Sequence, residues 1–285
     1  MKLMGIVNIT PDSFYDGGFW TKRDDAIRHG LKLFQQGAHI VDVGGESTRP
    51  GAKPVTYEEE VSRVLPVVRE LAKNGRVSID TRHSAVALAA IEAGASMIND
   101  VSCQLYGIAG EAGVDYVAMH MQGQPGNMQE DPNYDDVVLE VCDTLQIVAR
   151  RAQAAGVRRC WVDPGIGFGK TLAHNVAILR GLPRLMALGY PVLLGISRKS
   201  MLGELTGRHT PGDRLSGSLA AAYYASDIGV DMLRVHDVAE TSDLLRVRAA
   251  LKTDSEIAAP LWRAGAEPDG AAGTCIGDPA EGAAW

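Results

Sequence analysis

Four cationic residues stand out in a chain that is acidic overall, with a net charge of −7. Each follows the end of an apolar segment, and they are Arg49, Lys199, Arg234 and His236. Arginine binds a phosphate with a planar fork, whereas lysine binds it as a point charge. Because an acidic chain is a poor generic partner for nucleic acid, the set predicts a small phosphate-bearing ligand.

Amide and carboxylate groups end other apolar segments. Asn8 ends the first segment, and its oxygen, with nearby carboxylates, suits Mg²⁺, which shares oxygen ligands with substrate phosphates. Asp80, Asn99 and Asp163 end three later segments. Such groups can pair with the N–H groups of a flat heterocycle. The residues therefore indicate a small heterocyclic substrate that carries a phosphate group.

A repeated unit of helix, glycine and short apolar strand would position these residues. The glycines are Gly37, Gly75, Gly94, Gly113, Gly156, Gly189 and Gly229. The strands that follow read HIVDV, RVSID, SMIND, VDYVAMH, RCWVD, PVLLGIS and DMLRVH. Glycine suits a helix end because it adopts the left-handed conformation without a Cβ penalty. With an opening strand over 3–7, eight strands result, apolar on both faces as in a parallel sheet.

Helical periodicity fills the intervals between the strands. Val61, Leu65 and Val68 form one apolar stripe, which a capping box from Thr56 to Glu59 would open. The acidic run TYEEEV at the same place reads as a solvated helix start. The helix after SMIND is predicted to be short, at one to two turns.

Eight β–α units in about 250 residues match a single-domain TIM (β/α)8 barrel, which we expect over residues 1–257. A doubly wound open sheet is the alternative. In the barrel, the polar strand ends would meet at one rim, where active sites of this fold lie. Residues 258–285 are rich in Ala, Gly and Pro, and we expect a mobile tail there.

Composition and short motifs exclude several other classes. No apolar run is long enough to cross a membrane, and the first residues lack the pattern of a secretory signal. Four cysteines without CxxC spacing argue against zinc and disulfides and favour the cytoplasm. The run DPGIGFGKT misses the phosphate-loop motif, because Pro164 stands where that motif has its first glycine.

Eight segments together resemble those of the dihydropteroate synthase family. In order they are GIVNITPDSFYDGG, VDVGGESTRPGA, SIDT, MINDVS, MHMQG with PNYDDVV, DPGIGFGKTLAHN, GISRKSMLGELTG and RVHDVAET. The family is a TIM barrel of folate biosynthesis. It joins 6-hydroxymethyl-7,8-dihydropterin diphosphate to p-aminobenzoate, giving 7,8-dihydropteroate and pyrophosphate.

The resemblance implies a role for each matching residue. Asn8 would hold Mg²⁺ against the diphosphate, whose oxygens would be bound by Arg49, Arg234 and His236. Pterin binding would fall to Asp80, Asn99, Asp163 and Lys199, with Met119, Phe168 and Gly195 packed against the ring. Thr48, Ser197 and mobile segments around Phe14 and Pro50 would shape the p-aminobenzoate pocket. Asp16, in the first of these segments, would help to stabilise a charged intermediate.

Individual polar residues also have structural interpretations. We expect His120 to be a hydrogen-bonded structural histidine, and Asp100 and Arg198 to point away from the pocket into supporting ion pairs. Asp42 is equally compatible with capping a loop and with binding a ligand.

Two other functions remain open at this stage. A pterin-binding barrel that transfers methyl groups to a corrinoid would share the pterin-binding residues but would not need the cationic set. A non-catalytic pterin-binding protein would tolerate loss of NITPDSFYDGG, which is intact here. The family resemblance also implies a homodimer, with its contact on the last helices. The overall sequence is similar to that of mobile sulfonamide-insensitive synthases, so we expect insensitivity to sulfonamides.

Overall fold

The computed structural model describes residues 1–9, 19–47 and 55–252. Three predicted site residues, Asp16, Thr48 and Arg49, lie outside the described residues. The same is true of Phe14, of Pro50 and of the expected tail over 258–285.

Eight parallel strands alternate with helices along the chain. The strands are β1 (Lys2–Asn8), β2 (Ile40–Gly44), β3 (Arg76–Asp80), β4 (Met97–Asp100), β5 (Asp115–Met119), β6 (Arg159–Asp163), β7 (Leu193–Gly195) and β8 (Met232–Val235). The helices are α1 (Phe19–Gln35), α2 (Tyr57–Leu71), α3 (Ser84–Glu92), α4 (Tyr106–Glu111), α5 (Val137–Ala154), α6 (Leu172–Arg180), α7 (Leu182–Met186), α8 (Ser200–Thr206), α9 (Leu215–Ile228) and α10 (Val238–Lys252). A 3₁₀ turn, Pro211–Arg214, precedes α9.

The strands close into a barrel. Their order is β6-β5-β4-β3-β2-β1-β8-β7, and the two outer strands meet through a parallel bridge between Val162 and Val192. There the Val162 amide donates a hydrogen bond of 3.0 Å to the Pro191 carbonyl. The predicted TIM barrel is therefore confirmed, and the open doubly wound sheet is excluded.

Alternation along each strand divides the residues between the barrel interior and the helix layer. One buried interior cluster consists of Met4, Ile40, Met97, Val117, Trp161, Leu193 and Met232. Two residues further along four of these strands, on the same face, stand Asp42, Asn99, Asp163 and Arg234. The two-residue repeat of the strands thus places a polar layer at their carboxyl ends, with the apolar layer directly beneath it.

Helix ends follow the predicted chemistry with two exceptions. Six of the seven glycines have positive φ angles, but Gly75 does not; a Cβ there would lie 2.6 Å from the Phe34 ring. Close packing is therefore the reason for this glycine.

The Thr56 hydroxyl accepts a hydrogen bond from the Glu59 amide at 3.3 Å, but the Glu59 carboxylate pairs with Arg63. The expected reciprocal capping box is thus only half formed.

The helix after β4 is six residues long, as its short sequence interval predicts. Within the described ranges, none of the helices combines the length and the hydrophobicity that spanning a bilayer requires.

Candidate active site

A network centred on Arg234 crosses the upper barrel. Its Nε donates to Asp42 Oδ2 at 2.7 Å, and its Nη2 donates to Asp80 Oδ2 at 2.6 Å. The amide of Asn99 donates to the same oxygen of Asp42 at 3.0 Å. Strands β2, β3, β4 and β8 therefore contribute to one hydrogen-bonded group. Asp42 is a buried member of this network and caps no loop within the part of the chain that the structure describes.

Burial governs the electrostatics of the network. It raises the pKa of Asp80 to about 7, a shift that the Arg234 guanidinium opposes and that the neighbouring Asp42 reinforces. The carboxylates around Arg234 raise its pKa against the effect of burial, so this side chain stays cationic. Asp42 Oδ1 is buried with no hydrogen-bond partner among the described residues, which leaves an acceptor available to a donor group.

Asp163 faces the network from β6. One carboxylate oxygen accepts a hydrogen bond of 2.7 Å from the Gly165 amide. The other lies next to Gly195 of β7, where an added Cβ would be 3.6 Å from Asp163 Oδ2 and 3.9 Å from Arg234 Cβ. Because Gly195 has no side chain, the space between the carboxylate and the arginine is not filled from β7.

Lys199 follows β7 and supplies a cation to the same space. Its ammonium lies 4.4 Å from the centre of the Phe168 ring and donates a hydrogen bond to the Ile166 carbonyl. Burial lowers its pKa to about 8, while Asp163 acts in the opposite direction. The ammonium is therefore the predominant form at pH 7, held by the Phe168 ring and the Ile166 carbonyl.

Ser197 and His236 connect β7 and β8 above the network. The Ser197 hydroxyl lies 3.1 Å from His236 Nδ1 and accepts a hydrogen bond of 3.2 Å from the His236 amide. Met119, at the end of β5, is buried with 8% of its surface exposed. All three residues therefore lie at or just beyond the carboxyl ends of β5, β7 and β8, and the roles predicted for them stay predictions.

Asn8 lies at the end of β1 beside the same group. A Cβ added to Gly44 would be 3.5 Å from Asn8 Oδ1 and 3.5 Å from Asp80 Cβ. The glycine therefore leaves room between an amide oxygen and a carboxylate. Oxygen donors of this kind fit Mg²⁺.

Sequence reasoning missed a buried lysine in the loop after β6. Lys170, rejected above as part of a phosphate loop, points its ammonium to His120 Nδ1 at 3.0 Å and to the Phe168 carbonyl at 2.9 Å. Burial, reinforced by Lys199, lowers its pKa to about 7. Burial and Lys170 together lower the pKa of His120 to about 3. His120 is thus a neutral, hydrogen-bonded histidine, as expected.

A second unexpected group lies where β2 and β3 end. Glu46 accepts both arms of the Arg82 guanidinium at 2.8 and 2.9 Å, and Glu60 contacts His83 Nδ1 at 2.7 Å. Glu46, Glu60 and His83 are close enough to share a metal ion. The acidic run at the start of α2 is therefore not wholly solvated, because its third glutamate is buried.

Of the two ion pairs expected outside the pocket, that of Arg198 is present, whereas Asp100 is held by neutral donors and has no ion pair among the described residues. Asp100 accepts hydrogen bonds from the Gln104 and Leu105 amides and from the Tyr116 hydroxyl, each at 2.8 Å. Arg198 pairs with Asp237, with Nε 2.9 Å from Oδ2.

Comparison with known proteins defines the class first. Residues 4–236 match the family model described as pterin binding enzyme. Dihydropteroate synthase of Neisseria meningitidis serogroup C is 47% identical over 261 residues, covering 88% of this chain and 92% of the relative.

Solved structures point to the same family within that class. Xanthomonas albilineans dihydropteroate synthase with 4-aminobenzoic acid superposes with a TM-score of 0.83 at 48% identity, covering 89% of this chain and 94% of the other. The same enzyme in complex with 7,8-dihydropteroate gives 0.80 at 44% identity, with the same coverage. This chain belongs to the dihydropteroate synthase family.

Proposed function

We propose that the barrel rim joins 6-hydroxymethyl-7,8-dihydropterin diphosphate to p-aminobenzoate, releasing pyrophosphate and forming 7,8-dihydropteroate. The observation that carries this function is the space bordered by Gly195, with Asp163 and Arg234 on its two sides and Lys199 above Phe168. Family relatives solved with 4-aminobenzoic acid and with 7,8-dihydropteroate support the same reaction.

The pterin would lie in this space. Asp163 is 4% exposed and Asn99 is 6% exposed, so the N–H groups of a bound heterocycle would meet them away from water, where such hydrogen bonds are strong. Lys199 would donate to a ring acceptor, and Phe168 and Met119 would pack against the ring. Asp80 would complete the set from β3.

The reaction needs a good leaving group more than a strong base. The C–O bond between the pterin methylene and the diphosphate breaks, and the bonding pair leaves with the diphosphate. The neutral arylamine nitrogen then forms the C–N bond and releases one proton to solvent. Fixing the pterin places its methylene near the incoming amine, which lowers the entropic part of the barrier.

Charge develops in both directions as the bond breaks. Arg234 uses Nε and Nη2 on its carboxylates, so its Nη1 can face the diphosphate, together with His236 and the predicted Arg49. The carboxylates of Asp80 and Asp163 would stabilise positive charge on the pterin side, as would the predicted Asp16. Groups fixed in advance stabilise such charge without reorganisation during the reaction.

Asn8 would hold Mg²⁺ at the diphosphate end of the site. The metal, when bound, neutralises charge on the departing oxygens. The donor set supports this assignment, since an amide and a carboxylate border the space left by Gly44. Thr48 and Ser197 would shape the p-aminobenzoate pocket, with Ser197 held by His236.

A pyrophosphate assay tests the proposed function. Purified protein with Mg²⁺ and both substrates is expected to release pyrophosphate, and omission of p-aminobenzoate is expected to reduce the release strongly. Absence of pyrophosphate with both substrates present would remove the synthase function. Methyl transfer from methyltetrahydrofolate to a corrinoid would instead support the alternative barrel, and pterin binding without either reaction would support a non-catalytic protein.

Sulfonamide insensitivity stays a prediction from the overall resemblance. A Yersinia pestis relative, 42% identical, is solved in a sulfonamide drug complex. Titration of the purified enzyme with sulfamethoxazole tests the prediction, which ordinary competitive inhibition at submillimolar concentrations would overturn.

A homodimer is the expected assembly, and the cytoplasm is the expected location. Exposed apolar side chains on the last two helices support the contact there, and they are Tyr223, Tyr224, Val247 and Leu251. Sedimentation equilibrium on purified protein is expected to give twice the chain mass.

A further inference from the structure

A cleft of about 790 Å³ opens at the end of the barrel opposite the proposed active site. Its walls come from the amino-terminal ends of strands and from the helix layer, and include Lys2, His39, Arg159, Trp161 and Arg248. The volume falls within the range of small-molecule sites. The reaction proposed above uses none of these residues.

The base of the cleft contains an unsatisfied hydrogen-bond donor. Trp161 is 2% exposed, and its indole Nε1 has no hydrogen-bond partner within the described residues. Arg248 Nε, in the same lining, is also buried without a partner there. Buried donors are normally satisfied, so two of them beside one cavity indicate a ligand with acceptor atoms.

Positive charge surrounds these donors. The Lys2 ammonium lies 5.5 Å from the centre of the Trp161 ring, and the Arg159 guanidinium carbon lies 5.9 Å from it. Arg248 adds a third cation to the lining, whereas Asp231 is its one acidic side chain. Asp231 also accepts a hydrogen bond from the Val192 amide at 2.8 Å.

Among the described residues, one of the three cations, Arg248, pairs with a carboxylate, since its Nη2 lies 3.4 Å from Asp227 Oδ1. Asp115 pairs with Arg76 at 2.8 Å and with Arg158 at 2.9 Å, so two other arginines already neutralise it. His39 uses Nδ1 to accept a hydrogen bond from the Leu3 amide at 3.2 Å. Burial lowers the pKa of His39, with Lys2 acting in the same direction, so His39 stays neutral at pH 7. The cleft is cationic although the whole chain carries a net charge of −7.

We propose that this cleft is a second ligand site, which binds the carboxylate or phosphate group of a metabolite-sized molecule. The indole N–H of Trp161 donates to one oxygen, and Lys2 and Arg159 supply the charge that holds the group. Charge-assisted hydrogen bonds of this kind are about twice as strong as neutral ones.

The site is separate from the proposed active site. Arg159, Trp161 and Asp163 share the inner face of β6, so Arg159 lies about 13 Å along the strand from Asp163. The apolar cluster that includes Met97 and Met232 occupies the interior between the two ends. A ligand in the cleft therefore does not compete directly with the pterin.

Indole NMR on the full chain tests this proposal. Protein labelled with ¹⁵N-tryptophan is titrated with inorganic phosphate and, separately, with benzoate, while sodium chloride keeps the ionic strength constant. The Trp161 signal is assigned by its loss in Trp161→Phe. We expect that signal to shift saturably with one or both probes at low millimolar concentration, and the more effective probe identifies the group bound.

Variants separate the cleft from the active site. Arg159→Ala and Lys2→Gln are each expected to weaken the Trp161 response about tenfold or more, with synthase activity unchanged. The control is Arg246→Ala, which removes the same charge from an exposed pair with Asp243 on α10 and is expected to keep the response. No saturable shift in the wild type, or equal shifts in Arg159→Ala and Arg246→Ala, would overturn the proposal whatever the synthase assay shows.

Discussion

The position of Asp163 at the end of β6 determines the burial and the orientation of its carboxylate. Its carboxylate is 4% exposed, and burial raises its pKa while Lys199 opposes the shift. One oxygen is held by the Gly165 amide, so the other keeps a fixed direction towards the pterin space. A buried carboxylate held in this way can recognise a heterocycle without first reorganising.

Replacing Asp163 with asparagine is expected to weaken pterin binding about tenfold to a hundredfold, because a charged hydrogen bond contributes about 1.5–3 kcal/mol. Calorimetric titration with the pterin diphosphate measures this change. The matched control is Asp100→Asn at the end of β4, whose partners are all structural. It should lower stability but leave the affinity of the folded protein unchanged, and an equal loss of affinity in both variants would contradict the assignment.

The proposed contact between Lys199 and the pterin is expected to make pterin binding dependent on pH. Its pKa of about 8 means that the ammonium, the form that donates to the ring, is lost as the pH rises through that value. Pterin affinity is therefore expected to fall between pH 7 and pH 9, and Lys199→Ala should be weaker at pH 7 and lose this part of the dependence. Titrations at several pH values measure it, and unchanged affinity in Lys199→Ala would show that the lysine is misassigned.

Residue chemistry could be predicted where polar groups end strands. Asp80, Asn99, Asp163 and Arg234 fall at such ends, and the barrel brings them together. Lys170 and Glu60 could not be predicted, because nothing local distinguishes them from the exposed charges beside them. Their burial arises from packing against His120 and His83, which are distant in sequence.

The loop after β6 depends on a backbone conformation that three glycines provide. Gly165, Gly167 and Gly169 all have positive φ angles, and a Cβ at Gly165 would lie 1.8 Å from the His120 carbonyl oxygen. This loop also carries Phe168 and Lys170. The path of this loop therefore depends on close contact between two backbone segments. Hydrophobic periodicity in the sequence does not reveal such a contact.

Gly165→Ala is expected to destabilise the protein by at least about 3 kcal/mol, since backbone strain and a steric clash add together. Gly189→Ala is the matched control, because Gly189 also has a positive φ angle of 81° but open space around it. It should cost only about 1 kcal/mol. Urea denaturation measures the free energy of unfolding of both variants. Equal decreases would mean that the close contact at Gly165 does not contribute to the destabilisation.

At the scale of the whole molecule, closure of the barrel is the feature that sequence patterns could not establish. Eight apolar strands favour a barrel but are also compatible with an open sheet, and the decision depends on contacts between β6 and the residues at the start of β7, including the bridge between Val162 and Val192. The positions of the strands and most helix ends were predictable because apolar segments and glycine mark them locally, although β7 is shorter than the predicted segment PVLLGIS.

Buried cations of the barrel also make global stability dependent on pH. The pKa of Lys170 is about 7 in the folded protein, against an ordinary 10.5. Between these values the unfolded chain binds more protons, so this group makes the free energy of unfolding rise with pH. Relative to Lys170→Met, the wild type should gain at most about 3–5 kcal/mol from pH 7 to pH 10.5. Urea denaturation at several pH values measures the difference, and parallel pH profiles would contradict it.

A crystal structure with the bound pterin diphosphate tests the central claim most directly. The account predicts the ring beside Gly195, within hydrogen-bond distance of Asp163 and Asn99, and the diphosphate towards Arg234 and Asn8. A pterin bound at any other place on the barrel, with those side chains free of it, would contradict the account.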